Sequence, residues 1–476
     1  MFSLGVATLA ACANSPNIVF IMSDDHAANA ISAYGSHLAK YADTKHLDRL
    51  AVEGCRLDRV YCTNSICVPS RASILTGLYS HRNQVYRLAD ALDPAQRNVA
   101  KLLQQQGYQT ALVGKWHLKK SPSGFDYWEI LKNQGRYQNP ELFTAAGGQV
   151  YQGHSTDVIT QLGLDWLQQR RPNEPFALFV HYKATHEPWH YADRFDHLFD
   201  GVEFPEPPSM HDDESDRCSA AKQIGYTLET LAQRFATKTH SKVPLDISGM
   251  SAEERQAASY QKLVRDYLRC VRGIDENVGR ILAYLDQAAL AENTVVIYTS
   301  DQGYFLGEHN YIDKRWILEE SARMPTLIRY PPEIPAGAVN QDLMINTDFF
   351  PLLLDFANAT IPNDIQGRSF RRNLQGQTPS DWRTAFFYRY WEHAPLRPAH
   401  YGIRTERYKL IRYYGNQQAN APKAAAWELY DLQNDPFEMH NVYSRAENQS
   451  VVVHLEQQLE ALRHELADPD VTATAK

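Results

Sequence analysis

Asn17-Ile18-Val19-Phe20-Ile21-Met22-Ser23-Asp24-Asp25-His26 joins an unbroken, partly β-branched apolar run to an abrupt cluster of charge. A run with no polar alternation suits a strand buried on both faces. Carboxylates at the C-terminal end of such a strand stand where open α/β sheets place their ligands. The same arrangement recurs three times. Thr110-Ala111-Leu112-Val113 leads to Gly114-Lys115-Trp116-His117, residues 176–182 lead to Lys183-Ala184-Thr185-His186-Glu187-Pro188, and residues 294–298 lead to Thr299-Ser300-Asp301-Gln302-Gly303. Between them, residues 96–106 read as a short amphipathic helix closed by Gly107. Residues 256–290 carry Leu263, Tyr267, Val271, Ile274, Val278, Ile281 and Leu285 at helical spacing. Strands alternating with helices predict an α/β fold on a doubly wound, mostly parallel sheet.

From about residue 384 the texture changes. Phe386-Phe387-Tyr388-Arg389-Tyr390-Trp391, Tyr401-Gly402-Ile403-Arg404-Thr405, Tyr408-Lys409-Leu410-Ile411-Arg412-Tyr413 and Trp427-Glu428-Leu429-Tyr430-Asp431-Leu432 are closely spaced short strands, as in an antiparallel meander. A helix over 451–466 follows. The expected division is a signal remnant over 1–15, a catalytic α/β domain over 16–380 and a smaller α+β subdomain over 381–476, with 190–250 as a surface insertion near the site.

The 476 residues are 43% hydrophobic and 22% charged, an ordinary globular composition with length enough for a large core. A net charge of -8 argues against a nucleic-acid partner and requires any anion site to be built from a few focused cations. The six cysteines, at 12, 55, 62, 67, 218 and 270, show neither CxxC pairs nor zinc spacing. No run of about twenty apolar residues is present to span a membrane. Residues 4–11 form a short apolar stretch ending Leu9-Ala10-Ala11-Cys12, similar to the lipobox of a bacterial lipoprotein, although no lysine or arginine precedes it. The expectation is an exported bacterial protein, either periplasmic or lipid-anchored at Cys12.

Asp24, Asp25 and Asp301, with Gln302 beside the last, offer hard oxygens at two strand ends. Three gathered carboxylates repel one another, so a divalent cation is the natural neutraliser, and oxygen ligands select calcium or magnesium over zinc. Caps and turns are the other use of such residues. Lys115, His117, His186 and Lys314 form a second polar group, each by itself readable as a surface or satisfied core residue. The last element is Cys67-Val68-Pro69-Ser70-Arg71, with Leu75-Thr76-Gly77 behind it. Arg71 needs an anionic or hydrogen-bonded partner once it approaches a core, whereas Cys67 is readable either as a reactive position or as a buried structural cysteine.

Cys67-x-Pro69-x-Arg71 followed by Leu75-Thr76-Gly77 resembles the maturation signature of the type I, formylglycine-dependent sulfatases of the alkaline-phosphatase-like superfamily. The metal, lysine and histidine positions fall in that family's order, and the resemblance runs from residue 17 to Asp435-Pro436. It implies a large sheet sandwiched by helices, with Cys67 oxidised by a maturase to Cα-formylglycine and hydrated to a gem-diol. It further implies one calcium ion held by Asp24, Asp25, Asp301 and Gln302, the last standing where the family usually has Asn or His. By the same resemblance Arg71 holds the diol, Lys115 and Lys314 bind sulfate oxygens, His186 protonates the leaving oxygen, and His117 takes the proton that lets sulfate depart. The stretch 301–331, with Glu319-Glu320-Ser321 and Arg329-Tyr330-Pro331, is most similar to carbohydrate sulfatases of the N-acetylglucosamine-6-sulfatase and bacterial polysaccharide-sulfatase kind, which implies a sulfated carbohydrate substrate. Asn310 stands where many relatives have Gly. His309, Arg404, Trp391 and His393 are candidate sugar contacts and equally candidates for subdomain packing. Two other functions fit the same fold: a phosphonate monoester or phosphodiester hydrolase, and a non-catalytic glycan-binding protein.

Overall fold

The computed structural model describes residues 15–222, 225–393, 396–414 and 426–469. Residues 4–11 and Cys12, where a lipoprotein signal is expected, lie outside the described residues.

Strand Asn17–Ser23 is the centre of a ten-stranded sheet, flanked by Thr294–Ser300 on one side and Phe176–His181 on the other, both parallel to it. Gln109–Gly114 and Tyr127–Leu131 continue the parallel array. Its side chains alternate between two cores: Ile18, Phe20 and Met22 enter one apolar cluster, and Val19 and Ile21 enter the other. This two-sided burial is why the run carries no polar alternation.

Register fixes where the chemistry emerges. Ser23 sits opposite Ser300, Met22 opposite His181 and Gly114 opposite His181. Asp24, Asp301, Lys115 and the 182–188 loop therefore leave the sheet at one edge. Both flanks of the sheet depart from the parallel order. Thr326–Arg329 pairs antiparallel with Thr294–Ser300, and Glu141–Thr144 pairs antiparallel with Tyr127–Leu131 and Gly147–Val150.

Helix Ala252–Gln287 covers one face. It begins four residues before the predicted 256 because Ser251 and Glu254 form a capping box, in which Ser251 Oγ accepts from the Glu254 amide at 3.2 Å and Glu254 Oε2 accepts from the Ser251 amide at 2.7 Å. The helix expected over 96–106 starts at Val99, where the Asn98 side chain caps it by accepting from the Lys101 amide at 3.1 Å.

The insertion folds back onto the long helix. Its helix Leu228–Phe235 buries Leu228, Leu231, Ala232 and Phe235, and its strand Tyr226–Thr227 pairs with Tyr311–Asp313. Strands Ala385–Tyr390, His400–Thr405, Tyr408–Tyr413 and Ala426–Asp431 form a separate antiparallel meander, with helix Gln449–Glu465 packed against it.

Candidate active site

Helix Cys67–Thr76 carries the signature stretch and is buried at all ten of its residues. Pro69 falls in the first turn, where an amide N–H has no intrahelical partner to lose. Gly77 ends the helix at φ 69°, the left-handed conformation that favours glycine. Ser70 Oγ donates to the Asp301 carbonyl and accepts from Asn346 Nδ2 at 3.0 Å, which fixes this helix against the sheet edge.

The loops after the central strands are stitched together by backbone. Asp24 N donates to the Ala184 carbonyl at 3.0 Å, and Thr185 N donates to the Asp24 carbonyl at 2.7 Å. Asp25 is held at φ 64°. Its carbonyl accepts from Tyr267 Oη at 2.5 Å, and that hydroxyl accepts from the Ala27 amide at 2.8 Å.

Oxygens of Asp24, Asp25 and Asp301 lie within 4.8 Å of one another, all buried. A cation meets each carboxylate: Lys115 Nζ contacts Asp24, Lys314 Nζ lies 2.6 Å from Asp25 Oδ2, and Arg71 Nε lies 2.8 Å from Asp301 Oδ2. Burial nevertheless raises the Asp25 carboxyl to about 7; Lys314 opposes the rise and Asp301 adds to it. Asp24 Oδ1 and Gln302 Oε1 are buried and without a hydrogen-bond partner. Two orphaned hard oxygens beside two further buried carboxylates are a donor set that fits a divalent cation of the calcium or magnesium type.

Cys67 Sγ, a ring nitrogen of His186 and an oxygen of Asp24 also lie within 4.8 Å of one another. Gln302 Nε2 is 3.8 Å from Cys67 Sγ. Burial pushes the Cys67 thiol up to about 12, with Lys314 pulling the other way. His186 Nδ1 faces the Glu187 carbonyl at 2.7 Å, which assigns the ring proton to Nδ1 and leaves Nε2 3.8 Å from Asp25 Oδ2. Tyr137 Oη donates to the His186 carbonyl at 2.7 Å. His117 is buried at φ 62° with no partner for Nδ1; burial, and after it Lys115 and Arg71, hold its pKa far below the ordinary value.

Three of these groups border a cavity of about 460 Å³. Cys67, His186 and Lys314 line it, and Gln134, Glu187, Tyr226, Arg234, Asp313, Arg315 and Arg397 make its polar wall. The cavity wall holds residues that sequence reasoning did not select. Asp313 and Arg315 flank Lys314 and were detectable as a charge cluster. Gln134, Arg234 and Arg397 come from a loop, the insertion and the segment entering the second sheet, and nothing in their spacing marks them.

Residues 16–359 match the family model described as Sulfatase, and residues 307–465 match one described as N-sulphoglucosamine sulphohydrolase, C-terminal. The chain belongs to the sulfatase family. A sulfatase is a sulfuric ester hydrolase, and this chain is therefore an enzyme of that class. It is 38% identical, over 99% of its own length and 91% of the relative's, to an N-acetylglucosamine-6-O-sulfatase of Bacteroides thetaiotaomicron. It is 26% identical over 80% of its length to the human N-acetylglucosamine-6-sulfatase, 68% of which is covered. Among solved structures it resembles BT4656 in complex with its substrate D-glucosamine-2-N,6-O-disulfate, at TM-score 0.88 and 38% identity, covering 96% of this chain and 99% of that one. A phosphonate monoester hydrolase of Agrobacterium radiobacter shares the fold at TM-score 0.73 and 21% identity, over 95% of this chain and 96% of that one.

The four candidate sugar contacts of the sulfatase do not line this cavity. His309 is buried against Asp212, Nδ1 to Oδ2 2.8 Å. Arg404 pairs with Glu319 at 3.2 Å and lies over the Tyr61 ring. Trp391 stacks under the Arg389 guanidinium at 3.7 Å and against Tyr86. His393 Nδ1 accepts from the Ala399 amide at 3.2 Å. Each makes packing contacts, although Nε2 of His309 and Nε2 of His393 are buried without a hydrogen-bond partner. Asn310 adopts φ 58°, a left-handed conformation that asparagine and glycine accept more readily than other residues.

Proposed function

We propose that this sulfatase releases the 6-O-sulfate of a glucosamine-type sugar, with Cys67 matured to Cα-formylglycine and one calcium ion held by Asp24, Asp25, Asp301 and Gln302. The observation that carries the reading is Cys67 at the floor of a cavity, within 4.8 Å of a histidine nitrogen and a carboxylate oxygen of the metal-type cluster. The relatives supply the sugar: one is named for N-acetylglucosamine 6-O-sulfate, and BT4656 is bound to a 6-O-sulfated glucosamine.

Calcium, when bound, supplies charge neutralisation to the sulfate and acidifies an attacking hydroxyl. Formylglycine, once formed and hydrated, supplies that hydroxyl together with a second one from which sulfate can be expelled. The chain's own residues do the rest. Lys314 and Lys115 bring two ammonium groups to the carboxylate cluster, where they neutralise sulfate oxygens. Arg71 holds Asp301 and lies 3.8 Å from Asp24, which keeps the ligand carboxylates in place. His186, with Nδ1–H committed to the Glu187 carbonyl, presents Nε2 to the floor and donates from it to the departing sugar oxygen as the imidazolium, a form that burial and Lys314 disfavour and that a bound anionic ester favours. His117, with an unpartnered Nδ1, is the base that collects the final proton, although burial and Lys115 hold its pKa low and so work against that task.

The test is sulfate release from N-acetylglucosamine 6-sulfate and glucosamine 6-sulfate by protein produced with a maturase, measured beside matched phosphate and phosphonate monoesters. Turnover confined to the phosphorus esters would move the chain to the phosphonate hydrolase reading, and tight sugar binding without turnover to the glycan-binding one. Mass spectrometry of the peptide containing residue 67 is expected to show sulfur replaced by an aldehyde oxygen. We further propose export with Cys12 as lipid anchor, supported by Leu9-Ala10-Ala11-Cys12. Radiolabelled palmitate should enter the protein in cells and be lost in Cys12→Ala.

A further inference from the structure

Two guanidinium groups in the cavity wall have no part in the chemistry at its floor. Arg234 lies on the insertion helix Leu228–Phe235, and Arg397 lies in the segment that enters strand His400–Thr405 of the second sheet. Glu187 holds Arg234 through Nη2 at 2.6 Å, and Asp313 holds Arg397 through Nη2 at 2.7 Å. Arg397 also stacks on the Tyr226 ring, 4.4 Å from its centroid. Arg315, by contrast, is occupied by Asp313, Glu392 and the Tyr390 hydroxyl.

An arginine offers five N–H donors, and each of these two carboxylates takes up one edge of its partner. Among the described residues no other hydrogen-bond acceptor meets Arg234 or Arg397, and both side chains are half-buried rather than enclosed. They open onto the cavity. The cavity lining carries four cationic side chains, Arg234, Lys314, Arg315 and Arg397, and two carboxylates, Glu187 and Asp313, in a chain whose net charge is -8. A cationic wall of this kind, tethered on one side and open on the other, is built to receive an anion.

We propose that Arg234 and Arg397 form a second anion subsite, which reads a negatively charged substituent beside the cleaved ester: an N-sulfate on the same sugar or the carboxylate of a neighbouring uronic acid. The inference rests on the glucosamine 6-O-sulfatase reading above. The subsite is assembled from two elements outside the catalytic sheet, the insertion and the second sheet, so it sets selectivity and takes no part in bond breaking.

The experiment measures kcat/KM of the matured holoenzyme on three probes: N-acetylglucosamine 6-sulfate, glucosamine-2-N,6-O-disulfate, and a uronic acid disaccharide of N-acetylglucosamine 6-sulfate. The parent is expected to prefer at least one of the two probes with a second anion. That preference ratio falls about tenfold or more in Arg397→Gln and in Arg234→Gln, the usual scale of a charge-assisted hydrogen bond. It is largely kept in Arg397→Lys and Arg234→Lys, and the probe whose preference is lost identifies the anion. A parent that hydrolyses all three without preference overturns the subsite alone, as do Gln variants that lose all three probes in equal proportion. Release from none of the three overturns the glucosamine reading and the subsite together.

Discussion

His186 meets a backbone carbonyl with one nitrogen and the cavity floor with the other, so its two ring atoms have separate tasks. A proton donor matters in proportion to the basicity of the leaving oxygen. His186→Ala is expected to lower kcat for an alkyl sugar sulfate by about a hundredfold to ten-thousandfold and to affect an activated aryl sulfate far less. Equal losses on both substrates would transfer the acid role to another group, Lys314 first. The carboxylate cluster gives a second prediction. Asp301 accepts from Arg71 and the Asp25 amide and sits beside two further carboxylates, so Asp301→Ala removes one proposed ligand and leaves the buried Arg71 guanidinium without the carboxylate on its Nε. Calcium content measured by mass spectrometry should fall below one ion per chain, and activity should fall by orders of magnitude. Chelation of the parent should reproduce the activity loss and added calcium reverse it; full activity after exhaustive chelation would falsify the metal assignment.

At the scale of elements, the site is a consequence of register. Four parallel strands end together, and each delivers one polar loop to the same edge. This was legible in the sequence because a strand buried on both faces takes few polar residues, and Ser23, His181 and Ser300 stand only at the C-terminal ends of theirs. The largely apolar runs at 18–22, 110–113, 176–182 and 294–298 therefore end where the polar loops begin. The edge strands were not legible: Tyr127–Leu131, Glu141–Thr144 and Gly147–Val150 are only partly buried or fully exposed, so their side chains follow no apolar pattern. The candidate sugar contacts are ambiguous for a related reason, since aromatic and basic residues such as Trp391 and Arg404 suit a core cation–π stack as well as a sugar face. One element reaches the site in a way its own periodicity hides. Tyr267 reads as a core position of helix Ala252–Gln287, yet its hydroxyl bridges the Asp25 carbonyl and the Ala27 amide. Tyr267→Phe leaves the Ala27 amide buried and unpaired, at a cost of about 1–3 kcal/mol, while the Asp25 carbonyl loses one of two donors and keeps Thr185 Oγ1 at 2.8 Å. Its expected signature is a lower midpoint of denaturant unfolding together with weaker calcium binding by titration calorimetry. A variant destabilised to the same degree elsewhere on the helix should keep its calcium affinity.

The whole molecule is packed more continuously than the change of texture near residue 384 suggests. The apolar cluster that takes Ile18, Phe20 and Met22 from the central strand runs on without a break through Phe386, Ile403, Leu410 and Leu429 of the second sheet. Polar contacts cross the same boundary next to the site. The Arg389 amide donates to the Thr63 carbonyl at 3.0 Å, and the Tyr388 hydroxyl accepts from the Ser65 amide at 3.2 Å, both just ahead of Cys67. Buried charges are shared across it as well: Arg217 of the insertion is held by Glu428 at 2.9 Å, and Glu319 is held by Arg404 and Lys409. Removing one partner of a buried ion pair costs about 3–5 kcal/mol. Folded domains are stable by only about 5–15 kcal/mol in total. Loss of residues 381–476 strips Arg217 and Glu319 of their partners and exposes the shared core at the same time. The chain ended at residue 380 is therefore expected to be insoluble or unfolded. The intact chain should unfold in one transition that coincides by far-ultraviolet and near-ultraviolet circular dichroism. A truncated chain with native near-ultraviolet dichroism and a cooperative transition of its own would show that the two sheets are independent units, and the cavity wall contributed by Arg397 would then be a docked contact between them.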